Sequence, residues 1–405
     1  MDFDDTPEEA AFRKECRAWL DKNAKPRSTS DDVDYAPRDE ATIRASQAWQ
    51  AKKADAGWAC LTWPKEYGGR AASAIQSVIW GQEEARYETP PSLFAIGQGM
   101  LGPTIMAHGT DAQKQRYIRP MLRGEEIWCQ LFSEPAAGSD LGGLRTRAER
   151  DGDEWVLNGQ KIWTTGAHYS KWGMILARTD ASAVKHKGIT YFVVDMKAPG
   201  VDVRPIRQMN GHSSFNEVFF TDVRVPHANI IGREHEGWRG AITTLMNERA
   251  SIGAGGGGGG VDELIALARR VGIDGRPAIE DASVRQKIAR FYIRSKGVRY
   301  AGLRTLTALS RGQTPGPESS IGKLVGAPLR QEIAAFALEL EGPLGALDDE
   351  AYGLWQQMYL RSPGMRIAGG TDEILRNIVA ERVLGLPPEI RVDKDVPFTD
   401  IPRGR

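Results

Sequence analysis

The stretch from Trp128 to Gly166 limits the fold more than any other part of the chain. It reads WCQLFSEPAAGSDLGG, then a short charged segment, then WVLNGQKIWTTG. Ser133-Glu134-Pro135-Ala136-Ala137-Gly138-Ser139-Asp140 interrupts an apolar run with a proline and a glycine, so the backbone must leave a strand there and present amides and hydroxyls. That suits an anionic or flat polar ligand. Asn158-Gly159 stands between two strand-like runs, Trp155-Val156-Leu157 and Ile162-Trp163-Thr164-Thr165. The dipeptide predicts a tight hairpin turn with positive φ at both central residues. Alternation along the second run then puts Trp163 and Thr165 on one side of a strand.

On either side of this stretch the periodicity is helical. Thr6-Pro7-Glu8-Glu9 offers an N-cap, a proline at the first helical position and acids in the first turn, followed by Phe12, Cys16, Trp19 and Leu20 at helical spacing. Gly57 to Gly69 reads as a rigid aromatic loop between helices, and its simplest role is a packing corner. Helical composition continues from Ser73 to Met106 with a break at Pro90-Pro91, and Asp111 to Leu122 predicts a further short helix. Strand-like runs then recur at Trp172 to Thr179, Ile189 to Asp195 and Glu217 to Val225. After Gly237 the helical pattern resumes, interrupted by the six glycines 255–260 and by the Pro- and Gly-rich segment 311–320. The expected architecture is α+β: an N-terminal helical domain over residues 1–124, a middle antiparallel β domain over 125–236, a C-terminal helical bundle over 237–388 and a tail over 389–405.

Composition bounds the function. With 405 residues, 41% of them hydrophobic, the chain can bury a large core. Lys+Arg and Asp+Glu balance at 53 each, which leaves no electrostatic footprint for nucleic acid or an anionic membrane. No run is long and apolar enough to span a bilayer, and the acidic start MDFDDTPEEA lacks the features of a signal peptide, so a cytoplasmic location and no membrane insertion are expected. Cys16, Cys60 and Cys129 have no metal-ligand spacing and read as reduced, inert thiols; no metal site is expected.

The motifs, with their spacing intact, resemble the acyl-CoA dehydrogenase family from about Glu8 to Pro387. GWACLTWPKEYGG (Gly57 to Gly69), GTDAQKQRYIRPMLRGEE (Gly109 to Glu126), the Trp128 stretch, FNEVFFTDVRVPHANIIG (Phe215 to Gly232) and RIAGGTDEILRNIVAERVLG (Arg366 to Gly385) occur in the family's order. The resemblance implies the family's fold, with a flavin ring between the β domain and the C-terminal helices. It implies FAD as cofactor, an acyl-CoA thioester as substrate and an electron-transfer flavoprotein-like acceptor. Gln130, Leu131, Ser133, Ser139, Trp163 and Thr165 match positions that line the flavin, and Thr371 and Glu373 begin a last helix whose N-terminal amides meet a polar part of it. Thr371 as a plain N-cap is the competing reading. Gln130 replaces the aromatic residue common in the family. By the same resemblance Ser139, Gly369 and Arg249 contact the acyl-CoA.

Removing a weakly acidic α-proton calls for a carboxylate base in an apolar site and donors on the thioester oxygen. In much of the family that base is a glutamate just before Gly-Thr in the C-terminal motif. Here the position is Gly369, whose amide can still donate and whose missing side chain leaves room for a bulky acyl group. The family's second solution, a glutamate on the first helix after the β domain, has its match in Glu248. Ala241, Leu245, Glu248 and Ile252 are spaced by four, three and four, so Glu248 falls on the apolar stripe of its helix. A structural ion pair with Arg249 or another cation is the alternative role.

Two departures bear on assembly. The family's Arg-x-x-Phe-Gly segment, lent by a neighbouring subunit to the flavin pyrophosphate, has no counterpart in residues 269–289. Its Gln-x-x-Gly-Gly-x-Gly segment appears as Glu339-Leu340-Glu341-Gly342-Pro343-Leu344-Gly345, which places two carboxylates where a pyrophosphate would be repelled. The expectation is a homologous partner subunit in an α2β2 hetero-oligomer, with a homo-oligomer as the alternative. Two further readings stay open: a non-catalytic subunit, and a same-fold flavin monooxygenase.

Overall fold

A computed structural model describes residues 5–27, 39–254, 260–310, 316–347, 353–390, 393 and 395–401. The chain forms two compact units, Met1–Arg207 with Ser213–Glu248 and Ile390–Arg405 in one, and Gln208–His212 with Arg249–Glu389 in the other.

The first unit opens on α1 (Pro7–Asn23). Its start follows from local chemistry: the Thr6 hydroxyl accepts from the Glu9 amide while the Glu9 carboxylate accepts from the Thr6 amide. Phe12, Cys16 and Leu20 are buried on one face of it. A two-residue strand, β1 (Lys25–Pro26), and α2 (Glu40–Asp55) follow. The aromatic loop 57–69 packs Trp58 against Trp80 of α3 (Ala74–Glu84), with ring centroids 4.6 Å apart. It is a packing corner, as expected. β2 (Tyr87–Glu88) pairs with β1, a π-helical turn at Gly97–Leu101 leads into α4 (Gly102–His108), and α5 (Asp111–Leu122) is capped by Thr110.

The sheet comes next: β3 (Trp128–Leu131), β4 (Arg147–Asp151), β5 (Glu154–Thr165), β6 (Trp172–Arg178), β7 (Ile189–Asp195), β8 (Val201–Ile206) and β9 (Phe215–Pro226), in the order β3-β6-β4-β5-β9-β8 with β7 beside β6. Pairing is antiparallel except where β3 and β4 meet β6. β6 and β7 read as unbroken apolar runs because both sheet faces are covered. Met174, Leu176, Tyr191 and Val193 join a core with α4, α5 and Ala241, while Ile175, Ala177, Phe192 and Val194 join a second core with Leu157, Val218 and Val223. Cys16 and Cys129 are fully buried and Cys60 partly so, and burial pushes each thiol up to about 12, which leaves them unreactive at neutral pH.

The expected turn at Asn158-Gly159 is not made. β5 runs straight through it, paired to β9 on both sides, with a bulge between Leu157 and Gly159. Asn158 spends its amide on β9 instead, donating to the Asp222 carboxylate at 3.0 Å and accepting from the Asp222 amide at 3.0 Å. Gly159 is needed for close approach, since a Cβ there would lie 2.6 Å from Thr146 Oγ1. The hairpin turn sits earlier, at Gly152-Asp153 between β4 and β5.

The helix α6 (Gly237–Ala254) follows the sheet and crosses from the first unit to the second at Glu248/Arg249. The second unit then contains α7 (Val261–Arg270), a two-stranded ladder of β10 (Gly272–Ile273) and β11 (Arg276–Pro277), α8 (Ala282–Ser310), α9 (Ser320–Glu341), α10 (Gly353–Ile367) and α11 (Asp372–Arg382). Leu264, Leu267, Phe291, Ile333, Phe336 and Trp355 form its core. Of the six-glycine run only Gly260 is described: it caps α7 with φ +105°, and residues 255–259 lie outside the described residues. Among the described residues no helix is long and apolar enough to cross a membrane.

Candidate functional site

The loop after β3 is built on a buried charge that motif reading alone did not reveal. Pro135 and Ala136 form a tight turn closed by the Glu134 and Ala137 backbones, which exchange bonds of 3.1 and 3.0 Å. The Glu134 side chain points inward and is 7% exposed. It accepts from the Arg145 amide at 2.6 Å, the Thr146 amide at 2.9 Å and the Lys161 ammonium at 2.8 Å, and Lys161 also donates to the Phe132 carbonyl at 3.1 Å. Burial works to raise the carboxyl's pKa, but Lys161 and the amides outweigh it and hold it below the ordinary carboxylate value. The pair ties both ends of the 133–146 loop to β5. Glu134 is therefore a scaffold for the loop, and its polar rim faces outward: Gly138, Ser139 and Asp140 are exposed, and a Cβ on Gly138 would meet open space.

Beside this loop β5 carries a second bulge. Lys161 pairs with Val218 and Thr164 with Asn216, so Ile162 and Trp163 together oppose Glu217. Trp163 takes φ +60°, a conformation rare for a bulky residue, and its indole is 55% exposed with Phe215 edge-on at 6.1 Å. Strict alternation breaks here. Thr164 is buried, and the accessible Trp163 and Thr165 flank it. The Ile162 amide donates to the Ser133 carbonyl at 2.9 Å, which brings Ser133 next to Trp163. Asn216 fixes the bulge by donating to the Thr164 carbonyl at 2.9 Å and contacting His168 Nδ1 at 3.1 Å. Gln130 is half-buried between buried neighbours, whereas the Leu131 side chain lies wholly inside the core, so Leu131 can offer a ligand only its backbone. An exposed indole, the half-buried Ser133 and Thr165 and an unobstructed Gly138 backbone fit a flat ring with a hydrogen-bonding edge.

Glu248 lies on α6 where the spacing predicts. Ala241 and Thr244 are buried, Leu245 packs on the first core, and Glu248 one turn on is half-buried. The roll of this helix is set by a hydroxyl chain: Thr244 Oγ1 lies 2.8 Å from Thr104 Oγ1 and 3.2 Å from the phenol oxygen of fully buried Tyr191. Burial raises the Tyr191 phenol far above its ordinary value, and the Glu248 charge adds to that rise. The Glu248 charge is thus felt at the buried Tyr191 phenol. The side chains of Arg249 and Ile252 lie outside the described residues.

In the second unit, Gly369 and Gly370 follow α10 with φ +61° and +96°, a backbone that favours glycine at both positions. The Lys323 ammonium bonds to the carbonyls of Ala368 and Gly370 and so clasps the turn around Gly369. Thr371 is the N-cap of α11, its hydroxyl accepting from the Ile374 amide at 3.2 Å. Glu373 is exposed and approaches Arg376 at 3.8 Å. The two acids expected to repel a pyrophosphate are not equivalent. Glu339 is exposed and bonded to Lys287 at 3.0 Å, but Glu341 is 3% exposed, so only one of them presents a carboxylate to solvent.

Three family descriptions match in order: "Acyl-CoA dehydrogenase, N-terminal domain" over residues 6–125, "middle domain" over 129–223 and "C-terminal domain" over 235–384. The chain belongs to the acyl-CoA dehydrogenase family. Acyl-CoA dehydrogenase IpdE1 of Mycobacterium tuberculosis is 37% identical over 385 residues, 94% of this chain and 98% of that protein. The ChsE4-ChsE5 complex from Mycobacterium tuberculosis has a chain that is 29% identical, with a TM-score of 0.80 over 96% of this chain and 100% of that one. A structure titled "Tcur3481-Tcur3483 steroid ACAD" is 28% identical, with a TM-score of 0.79 over 96% of this chain and 100% of that one. The family is flavin-dependent, and the chain is an acyl-CoA dehydrogenase with helical N- and C-terminal regions and a β-sheet in the middle of the sequence.

Proposed function

We propose that this acyl-CoA dehydrogenase oxidises a bulky acyl-CoA thioester to the 2-enoyl-CoA with Glu248 as the base. The observation that carries the reading is Glu248 half-buried on the core-facing stripe of α6, in a chain whose alternative base position is Gly369. A carboxylate on this stripe is of the chemical type that can take a proton from carbon. Bound FAD would supply the two-electron acceptor for the β-hydrogen. Ser133, Trp163 and Thr165, with Gln130, Leu131, Ser139, Thr371 and Glu373, are the residues proposed to hold it: Trp163 covers a ring face, and hydroxyls and backbone amides meet its polar edge. Ser139, Gly369 and Arg249 are proposed contacts of the thioester, the Gly369 amide donating to its carbonyl oxygen. The backbone forced at Gly369 and the absence of a side chain support a branched or ring-bearing acyl group, and the likeness to a steroid acyl-CoA dehydrogenase points the same way.

The chain is further proposed to work in an α2β2 assembly with a homologous subunit and to pass electrons to an electron-transfer flavoprotein-like acceptor. The missing Arg-x-x-Phe-Gly segment supports the first part, as does the likeness to chains of the paired ChsE4-ChsE5 and Tcur3481-Tcur3483 structures. The test is anaerobic flavin bleaching by a panel of acyl-CoA thioesters, with the chain alone and with a homologous partner. Glu248→Gln should lower bleaching on the order of 10²–10⁴-fold with flavin still bound. Unchanged bleaching would remove Glu248 from the chemistry, and fast reaction of the reduced protein with oxygen would favour a monooxygenase.

A further inference from the structure

The C-terminal tail is docked on the β domain, beyond the family match that ends at residue 384. Pro397 pairs with Val184, the Phe398 amide donates to the Ala183 carbonyl at 2.9 Å, and the Thr399 amide donates to the Ala181 carbonyl at 3.1 Å. Two side chains under this strand-like contact link the tail to the ligand loop. Lys185, 5% exposed, bonds to the Asp393 carboxylate on one side and lies 2.7 Å from Asp140 on the other. Arg178, 4% exposed, lies under the Phe398 ring with its guanidinium carbon 3.7 Å from the ring centroid. From there it donates to the Gly142 carbonyl at 2.7 Å, the Leu144 carbonyl at 3.3 Å and the Lys185 carbonyl at 2.9 Å. Every loop residue reached this way lies within five residues of Ser139. A lysine buried between two acids gains from both, and losing one leaves a desolvated cation held by the other alone.

We infer that Asp393 and residues 395–401 form a strap that positions the Ser139 to Leu144 loop for acyl-CoA, with Asp393 acting through Lys185 on Asp140, and Phe398 acting through Arg178 on the Gly142 and Leu144 carbonyls. Asp393, Lys185, Arg178 and Phe398 are positioning residues. This rests on the proposed contact of Ser139 with the thioester.

The test uses the full-length flavin-loaded protein, with its partner subunit where flavin retention needs one, and three variants: Asp393→Asn, Phe398→Ala and a chain ending at Glu389. Amide hydrogen exchange should accelerate at 138–146 and 181–188 in all three and stay unchanged in the α7 to α9 core. Unchanged exchange in the loop overturns the strap, whatever the enzyme acts on. Steady-state kinetics should show KM for the thioester rising on the order of tenfold with kcat changed less than about twofold. In a cycle with Asp140→Asn, Asp393→Asn should have little further effect on KM, because its route to the loop is already cut. Equal effects in both backgrounds overturn the positioning role. If the wild-type protein bleaches with no thioester, the functional reading fails, while the exchange experiment still decides the strap.

Discussion

Two glutamates are buried to nearly the same degree and held in opposite ways. Glu134, 7% exposed, accepts from two backbone amides and the Lys161 ammonium, whereas Glu341, 3% exposed at the end of α9, has no hydrogen-bond partner on either oxygen among the described residues. Their ionisation follows. Donors hold the Glu134 carboxyl below its ordinary value against the pull of burial, while burial raises Glu341 and the more distant Arg270 offsets only part of the rise. Glu134 is held as an ion at the base of the 133–146 loop; at Glu341 only Arg270 works against the cost of burial. Burial alone does not decide what a carboxylate is for. The donors around it do, and only Glu134 has them.

The largest effect that separates the two is removal of the charge. Glu134→Gln leaves the Lys161 ammonium buried without its counter-ion and should cost about 3–5 kcal/mol, since breaking a buried pair from one side is the expensive case. Chemical denaturation measures it, and a loss under ~1 kcal/mol would break the contrast. Glu341→Gln should change stability by less than about 1 kcal/mol in the same experiment, because a carboxyl that makes no hydrogen bond gives up none on becoming an amide.

A pH titration of stability sharpens the same point with opposite signs. The folded Glu134 has a depressed pKa, so the unfolded chain binds the proton more readily, and its contribution is present above pH ~4.5 and lost as pH falls through the folded value. The folded Glu341 has a raised pKa, so its contribution is fully present below pH ~4.5 and is lost as pH rises through the folded value. Glu134→Gln should flatten the acid limb of the stability curve, and Glu341→Gln should flatten the decline on the other side of pH ~4.5. A matching change in slope from both variants would show that the two sites are equivalent after all.

What could be read from the sequence divides along the range of the interactions. α1 and α5 begin where Thr6 and Thr110 put them, because a cap is decided within three residues. β6 and β7 were visible as apolar runs. Asn158-Gly159 carries the chemistry of a tight turn, yet a bulged strand uses the same residues, and the choice was made by β9, which pairs with β5 on both sides of the dipeptide. Glu134 stood in full view inside the ligand motif, but its partner Lys161 is 27 residues away. A lysine among the strand-like residues of β5 was the available signal. The docking of the tail could not be read at all: Lys185 and Asp393 are 208 residues apart, and nothing in the local pattern of either predicts the other.

The smallest effect concerns a polar group that is neither buried and paired nor buried and bare. The Thr371 hydroxyl, half-exposed at the start of α11, accepts from the Ile374 amide and meets the description of an ordinary N-cap. Thr371→Ala should cost about 1 kcal/mol of stability, and Thr371→Ser, which keeps the oxygen, should restore most of it. Flavin affinity gives the second readout. If the residue also meets the cofactor, Thr371→Ala weakens flavin binding and Thr371→Ser recovers it along with stability. If it is a cap alone, stability moves while flavin affinity does not, and the proposed contact of Thr371 with the cofactor falls.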